Sequence, residues 1–259
     1  MPARCPLSSL LPSLKPLHAT RWSAYAQWLA QQANPPQAAS AHPLPSEAAW
    51  QALGQDFAQC LGLSLERYIR LQRIRHLLSQ QRHPHCAEQL EAALLDTPLG
   101  PMLAIFSAQG LSLLEFPEQK RVEAELLALQ KTFQADFVWR ATQRSRALQQ
   151  ELTAYFAGER PTFATVLAPV GTPFQQQVWR QLQTIPYGQT RSYRQQAQAI
   201  GKPQAVRAVA AANGQNKISI LIPCHRVIGS DGRLTGYAGG LERKKALLDL
   251  ENGASATLF

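Results

Sequence analysis

Ile222-Pro223-Cys224-His225-Arg226-Val227 is the stretch on which the reading of this chain turns. Just before it, Ile218-Ser219-Ile220-Leu221-Ile222 is apolar and rich in β-branched residues, the composition of a buried strand. Pro223 ends that strand, because proline has no N–H to give a sheet ladder. Cys224 then stands where strand becomes turn, with a histidine beside it and an arginine next. A thiol attacks only as thiolate, and a neighbouring His or Arg favours that form. A lone Cys-His pair usually marks nothing more than a buried cysteine, so the surroundings have to carry the reading further.

Downstream, Gly229-Ser230-Asp231-Gly232 is a turn, and Gly236-Tyr237-Ala238-Gly239-Gly240 leads into a helix from Leu241 to Leu250 with Glu251 at its end. Upstream, residues 171–215 read as three helices. Thr172-Pro173 supplies N-cap and first position, and Phe174, Val178 and Leu182 recur at helical spacing. Ser192 with Gln195 forms a capping box for a short helix that stops at Gly201. Pro203 opens a third helix, Gln204 to Asn213, stopped by Gly214. That helix carries Ala205, Ala208, Ala210, Ala211 and Ala212, with Arg207 projecting from it. Two short helices joined by a glycine turn, the second small-faced and basic, read as helix-turn-helix.

Further upstream, Pro101–Phe106 and Leu111–Phe116 flank Ala108-Gln109-Gly110 as a hairpin. Helices are expected over Lys120–Phe133 and Thr142–Ala157, and a third strand over Thr162–Leu167. A small α/β domain fits this order, and no residue in it reads as catalytic. Residues 46–82 read as helices, with Arg67, Arg70, Arg73 and Arg75 making one of them basic, after a Pro- and Ala-rich linker and a helical piece at Trp22–Gln32. His76, His83, His85 and Cys86 have no second cluster at zinc spacing, which favours a polar linker over a metal site.

The chain has 259 residues, 45% hydrophobic and 17% charged, enough for two or three small cores. Its net charge is +9, and residues 161–259 carry 11 Lys+Arg against 4 Asp+Glu. Basic charge around the Cys-His stretch points to a polyanion, most simply nucleic acid. The cysteines at 5, 60, 86 and 224 are widely spaced, which argues against a disulfide framework and for a reducing compartment. Prolines break the first 17 residues, a poor signal peptide, and no apolar run reaches membrane-spanning length, so the cytoplasm is expected and a membrane is not.

Taken together, Ser192-Tyr193, Pro203-x3-Arg207-Ala208-Val209, Asn216, Pro223-Cys224-His225-Arg226-Val227, Gly236-Tyr237-x-Gly239-Gly240 and Glu251 resemble the O6-alkylguanine-DNA alkyltransferase family over about residues 92–251. The pattern Leu53-x3-Phe57-x4-Gly62-x-Ser64-x3-Tyr68-x2-Leu71-x2-Ile74 resembles one half of an AraC-type helix-turn-helix domain. The whole chain is thus similar to Ada-type relatives, without their four-cysteine zinc module.

The resemblance implies an α+β multidomain chain. It has an AraC-like helical segment (1–88), a small RNase H-like α/β domain (89–168), a winged helix-turn-helix-like alkyltransferase domain (169–253) and a tail (254–259). It implies irreversible, single-turnover transfer of an alkyl group from guanine O6, and from thymine O4, to Cys224. His225 would take the thiol proton, Glu251 would orient His225, and Asn216 would hold the active-site turn. Arg207 would fill the place of a flipped base, with Tyr193, Ala208, Ala211 and Arg226 also on the DNA side. Pro223, Tyr193, Tyr237, Ala238, Gly239 and Gly240 would line the pocket. Ala238 stands where several relatives have serine, so one hydrogen bond to the base is lost. No cofactor or metal is implied. The partner would be double-stranded alkylated DNA, and the protein a monomer. The alternative is a DNA-binding transcription regulator that uses the AraC-like segment.

Overall fold

The computed structural model describes residues 88–159 and 163–253, together with Ile74, Leu77, Leu78 and Cys86. The chain divides into two compact units after Leu77. Ile74 and Leu77, in the first, are helical. The expected helix at Trp22–Gln32, the remainder of the AraC-like pattern, His76, His83, His85 and the tail from Ala254 lie outside the described residues.

The second unit begins with a four-stranded sheet ordered β3-β2-β1-β4, built from β1 (Glu88–Leu95), β2 (Met102–Ser107), β3 (Gly110–Glu115) and β4 (Ala135–Trp139). β1, β2 and β3 are successive antiparallel neighbours, and β4 lies parallel to β1. The expected hairpin is β2–β3. The sequence reading missed β1 and β4: Glu-Gln-Leu-Glu-Ala-Ala-Leu-Leu is made of good helix formers, and only pairing with β2 and β4 holds it extended.

α1 (Val122–Phe133) buries Val122, Leu126 and Leu129, and α2 (Gln143–Phe156) buries Leu148, Leu152 and Tyr155 behind a capping box of Thr142 and Ser145. Next come α3 (Pro173–Leu182), the two-residue β5 (Arg191–Ser192), α4 (Tyr193–Ala199) and α5 (Val206–Gly214). A 3₁₀ turn (Cys224–Arg226), β6 (Val227–Ile228), parallel to β5, and α6 (Leu241–Glu251) complete the fold. The expected capping box of α4 (Ser192, Gln195) forms, and the expected N-cap of α3, Thr172, is part of a capping box with Gln175. α5 starts at Val206 rather than Gln204, after a turn closed by Ala205 N–H on Lys202 O.

Every residue of β3 is buried although it is an edge strand. Two irregular segments cover that edge. Leu111 N–H donates to Val166 O and Ala168 N–H to Leu111 O; further along, Leu114 N–H donates to Lys217 O and Ser219 N–H to Leu114 O. These contacts correct both remaining strand expectations. Residues 163–167 make only a single bridge to the sheet, between Leu167 and Leu111, because the Glu151 carboxylate takes the N–H groups of Ala164 and Thr165. Ile218–Ile222 is a turn that makes a single ladder bridge to β3, between Ile218 and Leu114. It is apolar because it is buried, not because it is extended. One cluster of buried side chains runs from the sheet, through Phe106 and Phe116, to Trp179, Ile222, Cys224 and Leu247.

Gly110 has φ +143°, and a Cβ there would lie 2.5 Å from Val166 O. Gly110→Ala is therefore expected to lower unfolding stability by about 2 kcal/mol, read as a lower urea midpoint with an unchanged slope.

Candidate active site

Asn216, just beyond α5, closes the turn that presents Cys224. Its Nδ2 donates to Ile222 O (2.8 Å) and Cys224 Sγ (3.3 Å), and its Oδ1 accepts from Ile218 N–H (3.0 Å). Within the turn, Ile220 is buried at φ +72°, a left-handed conformation that a β-branched residue adopts only under constraint. Cys224 itself is 6% exposed.

His225 and Arg226 follow on the 3₁₀ turn and point to one acceptor. Glu251, at the end of α6, receives His225 Nε2 (2.9 Å) and a two-pronged contact from Arg226 Nε (2.8 Å) and Nη2 (2.9 Å). Tyr155 Oη (2.5 Å) and Gly188 N–H (3.2 Å) also donate to it. Burial would push this carboxyl up, but the hydrogen bonds from His225 and Arg226 outweigh it and hold it down at about 2. An ionised carboxylate only accepts, so His225 Nε2 must carry the proton. Burial lowers His225 below its ordinary value against the pull of Glu251, which keeps the ring neutral. Its Nδ1 is then a lone-pair acceptor, buried and without a hydrogen-bond partner in the protein. The Cys224 thiol is pushed up to about 11, chiefly by burial, with Asn216 opposing and Glu115 adding to the rise.

Around the thiol, Tyr237 is buried and Ala238 exposed. Gly239 is required there: a Cβ would lie 2.7 Å from the Tyr237 ring and 3.2 Å from that of Phe116. Arg243 holds this wall, donating to Gly239 O (3.2 Å) and Leu99 O (2.9 Å), with its guanidinium 3.7 Å from the Phe116 ring centre. Pro223 is buried next to Cys224, and Gly240, at φ +94°, is the N-cap of α6. Tyr193 Oη donates to Thr235 O (3.1 Å) at the mouth of the same loop.

On α5, Arg207, Ala208 and Ala211 are exposed together, while Val209, Ala212 and Asn213 face inward. Asn213 and Gln196 exchange two hydrogen bonds (2.6 and 3.1 Å), and Trp179 Nε1 donates to Ala212 O (2.8 Å), which fixes α5 against α4 and α3. The expected residues thus fall into an interior group and an exposed group. Arg226 belongs to the interior group. It was expected on the DNA side, but it is 7% exposed and spent on Glu251 and Ile185 O (2.6 Å). A basic residue next to a nucleophile reads as surface charge until its buried partner is seen.

Two side chains absent from the sequence reading reach the site. Tyr155 arrives from α2. Lys244 is fully buried, donating to Val227 O (2.5 Å) and Thr235 O (2.6 Å). Burial lowers it to about 8, and its charge favours the Cys224 thiolate. A signal existed: Lys244, Leu247, Leu248 and Glu251 share the inner face of α6, and a lysine on such a face needs a reason. Among the described residues, no three His, Cys, Asp or Glu side chains converge as a metal site, and no helix is long and apolar enough to cross a membrane.

This geometry matches known proteins. A profile of the 6-O-methylguanine DNA methyltransferase DNA-binding domain matches residues 173–253. A methylated-DNA–protein-cysteine methyltransferase of Methanosarcina barkeri is 47% identical over 161 residues, which span 61% of this chain and 94% of the relative. One from Mycobacterium tuberculosis is 58% identical over 112 residues, 42% of this chain and 68% of that one. Among solved structures, the Mycobacterium tuberculosis O6-methylguanine methyltransferase superposes with TM-score 0.55 at 42% identity over 65% of this chain and 96% of its own. The complex of that organism's protein with DNA gives 0.54 at 42% identity, with the same coverage. A Pyrococcus kodakaraensis methyltransferase, 23% identical, shares the fold at TM-score 0.50 over 62% of this chain and 98% of its own. With a buried thiol, a histidine bound to a carboxylate and this degree of identity along nearly the whole of a relative, the chain belongs to the methylated-DNA–protein-cysteine methyltransferase family.

Proposed function

We propose that this protein repairs O6-alkylguanine in double-stranded DNA by moving the alkyl group to Cys224, once per molecule. The observation that carries the reading is the buried chain Glu251–His225, which leaves His225 Nδ1 as a free base on the turn that holds Cys224. Ionising a thiol held at about 11 costs about 5 kcal/mol at neutral pH. His225 Nδ1 takes that proton, and Glu251 stabilises the imidazolium that results. The sulfur lone pair then forms an S–C bond to the alkyl carbon as the C–O6 bond breaks. Guanine leaves with that electron pair and takes a proton from the Tyr193 phenol; the phenolate is reprotonated through solvent by the proton His225 gives up, so the thiol's proton ends on the nucleobase. The thioether has no route to hydrolysis, so the protein is consumed. Thymine O4 presents the same alkyl-oxygen chemistry.

O6 lies inside the duplex, so the base must leave the stack. Exposed Arg207 on small-faced α5, with Ala208 and Ala211 beside it, is suited to close approach and insertion. Tyr237, Gly239, Gly240 and Pro223 form the walls for the extruded base, and the Ala238 side chain offers it no hydrogen bond. This reading assigns no cofactor and describes a cytoplasmic monomer with its chemistry in 89–253. It takes the AraC-like pattern in 46–82 as an Ada-like feature; specific binding of the full chain to one promoter sequence, independent of Cys224, would favour a regulator instead.

The direct test is intact-mass measurement after incubation with a duplex carrying one O6-methylguanine. One methyl per protein, mapped to Cys224 and absent in Cys224→Ala, is expected; multiple turnovers, or none in folded protein that binds the duplex, would refute the reading.

The rate of transfer should hold constant down from neutral pH and fall only below the ordinary histidine range, since burial depresses His225 and protonation of Nδ1 removes the base. Single-turnover rates across pH check this.

Glu251→Gln should slow transfer at least about a hundredfold and destabilise the fold by about 3 kcal/mol by leaving Arg226 buried without its counter-charge. The carboxyl titrates near 2 when folded and near 4.5 otherwise. Its stabilisation is therefore full above 4.5 and is lost as pH falls towards 2. Acid denaturation of the variant should lack that part of the transition.

A further inference from the structure

The mechanism above draws on the 3₁₀ turn, α6 and α5. Glu115, at the end of β3, is fully buried and plays no part in it. It pairs with Arg121 Nη2 (2.7 Å) and also accepts from Gln119. Arg121, at the N-cap of α1, reaches out of its own part of the fold. Its Nη2 donates to Asn216 O (2.6 Å) and its Nη1 to Gly214 O, while its Nε lies 3.2 Å from Glu125. Arg121 therefore grips the end of α5 and the backbone of the very residue whose side chain holds Cys224 Sγ.

We infer that Arg121, anchored by Glu115, is a positioning residue for methyl transfer: it fixes the Asn216 backbone and thereby the carboxamide that holds the Cys224 thiol. The assignment rests on the proposed repair reaction. Three observations carry it. A planar guanidinium spreads its donors over separate nitrogens in a fixed fork, so it can bridge one carboxylate and two carbonyls in a set geometry, whereas a lysine directs all its donors from one freely rotating nitrogen. The adjoining backbone is gripped by the same strand, through Leu114 N–H to Lys217 O and Ser219 N–H to Leu114 O (both 2.8 Å). The turn so held contains the left-handed Ile220, a conformation that persists only when its surroundings over-determine it. The charged and titratable groups around the clamp are Glu115 from β3, Arg121 and Glu125 from α1 and its cap, and Lys217, Cys224 and Tyr237 from the loops it faces.

The experiment compares full-length wild type, Arg121→Gln and Arg121→Lys in two single-turnover assays. One is methyl transfer from an O6-methylguanine duplex, split into duplex affinity and maximal rate. The other is carboxamidomethylation of Cys224 by iodoacetamide, followed by peptide mass mapping as a function of pH. In R121Q the maximal transfer rate should fall about tenfold with duplex affinity changed less than about twofold. Iodoacetamide labelling of Cys224 should slow, and its pH profile should move upward. R121K, which keeps the charge without the fork, should lie between R121Q and wild type in both assays. A purely packing role would lower melting temperature and leave both rates per folded molecule unchanged. Wild-type rates in both variants, or in R121K alone if R121Q does not fold, would overturn the assignment. If wild type itself takes no methyl from the duplex, the repair reading fails, and the iodoacetamide comparison still decides the role of Arg121.

Discussion

A carboxylate removed from water must be met by donors, and Glu251 is met by five, from Tyr155, Gly188, His225 and the two prongs of Arg226. Those residues come from α2, the loop after α3 and the 3₁₀ turn, so one charge draws three parts of the chain onto the end of α6. Losing a partner from such a site costs more than losing an exposed ion pair, because the remaining charge has no solvent to turn to. The same carboxylate fixes which nitrogen of His225 carries the proton. Stability and chemistry are thus tied to one group, and Arg226 serves the second by serving the first.

The thiol depends on a second constraint. Ile218–Ile222 passes under Cys224 as a buried turn whose polar groups are met locally, by Ile222 N–H on Ile218 O and by the Asn216 side chain. The edge of β3 presses the other side of that turn. The sheet, which supplies none of the residues that bond Cys224 or His225, is therefore the backing of the site rather than a separate module. Phe116 extends that backing to the pocket wall, where Arg243 stacks on it and holds Gly239. A burial deep enough to push the thiol to about 11 keeps it protonated at neutral pH unless a base takes its proton.

The exposed face of α5 follows different physics. The Gln196–Asn213 pair and the Trp179 bond to Ala212 satisfy buried polar groups between short helices, and with the apolar packing around Trp179 they fix the helix angles. Ala208 and Ala211 can then stay small on the outside, and Arg207 is left free to project.

Local chemistry was legible in the sequence. The N-cap at Thr172, the capping box at Ser192, the glycine turns and the β2–β3 hairpin follow from short-range rules that tertiary contacts did not override, while Asn216, Cys224, His225 and Glu251 were legible as a set only through the family resemblance. What pairing and burial decide was not legible. β1 has the composition of a helix and becomes a strand because two neighbours complete its hydrogen bonds. Ile218–Ile222 has the composition of a strand and becomes a turn because Asn216 supplies the partners that a ladder would have given. Arg226 reads as surface charge and lies inside because Glu251, 25 residues away, neutralises it. The sequence by itself determined which groups could do chemistry and where α3 and α4 begin. Tertiary structure alone decided which charges face each other out of water, since that depends on contacts between residues far apart in the chain, and such contacts leave no mark on local pattern.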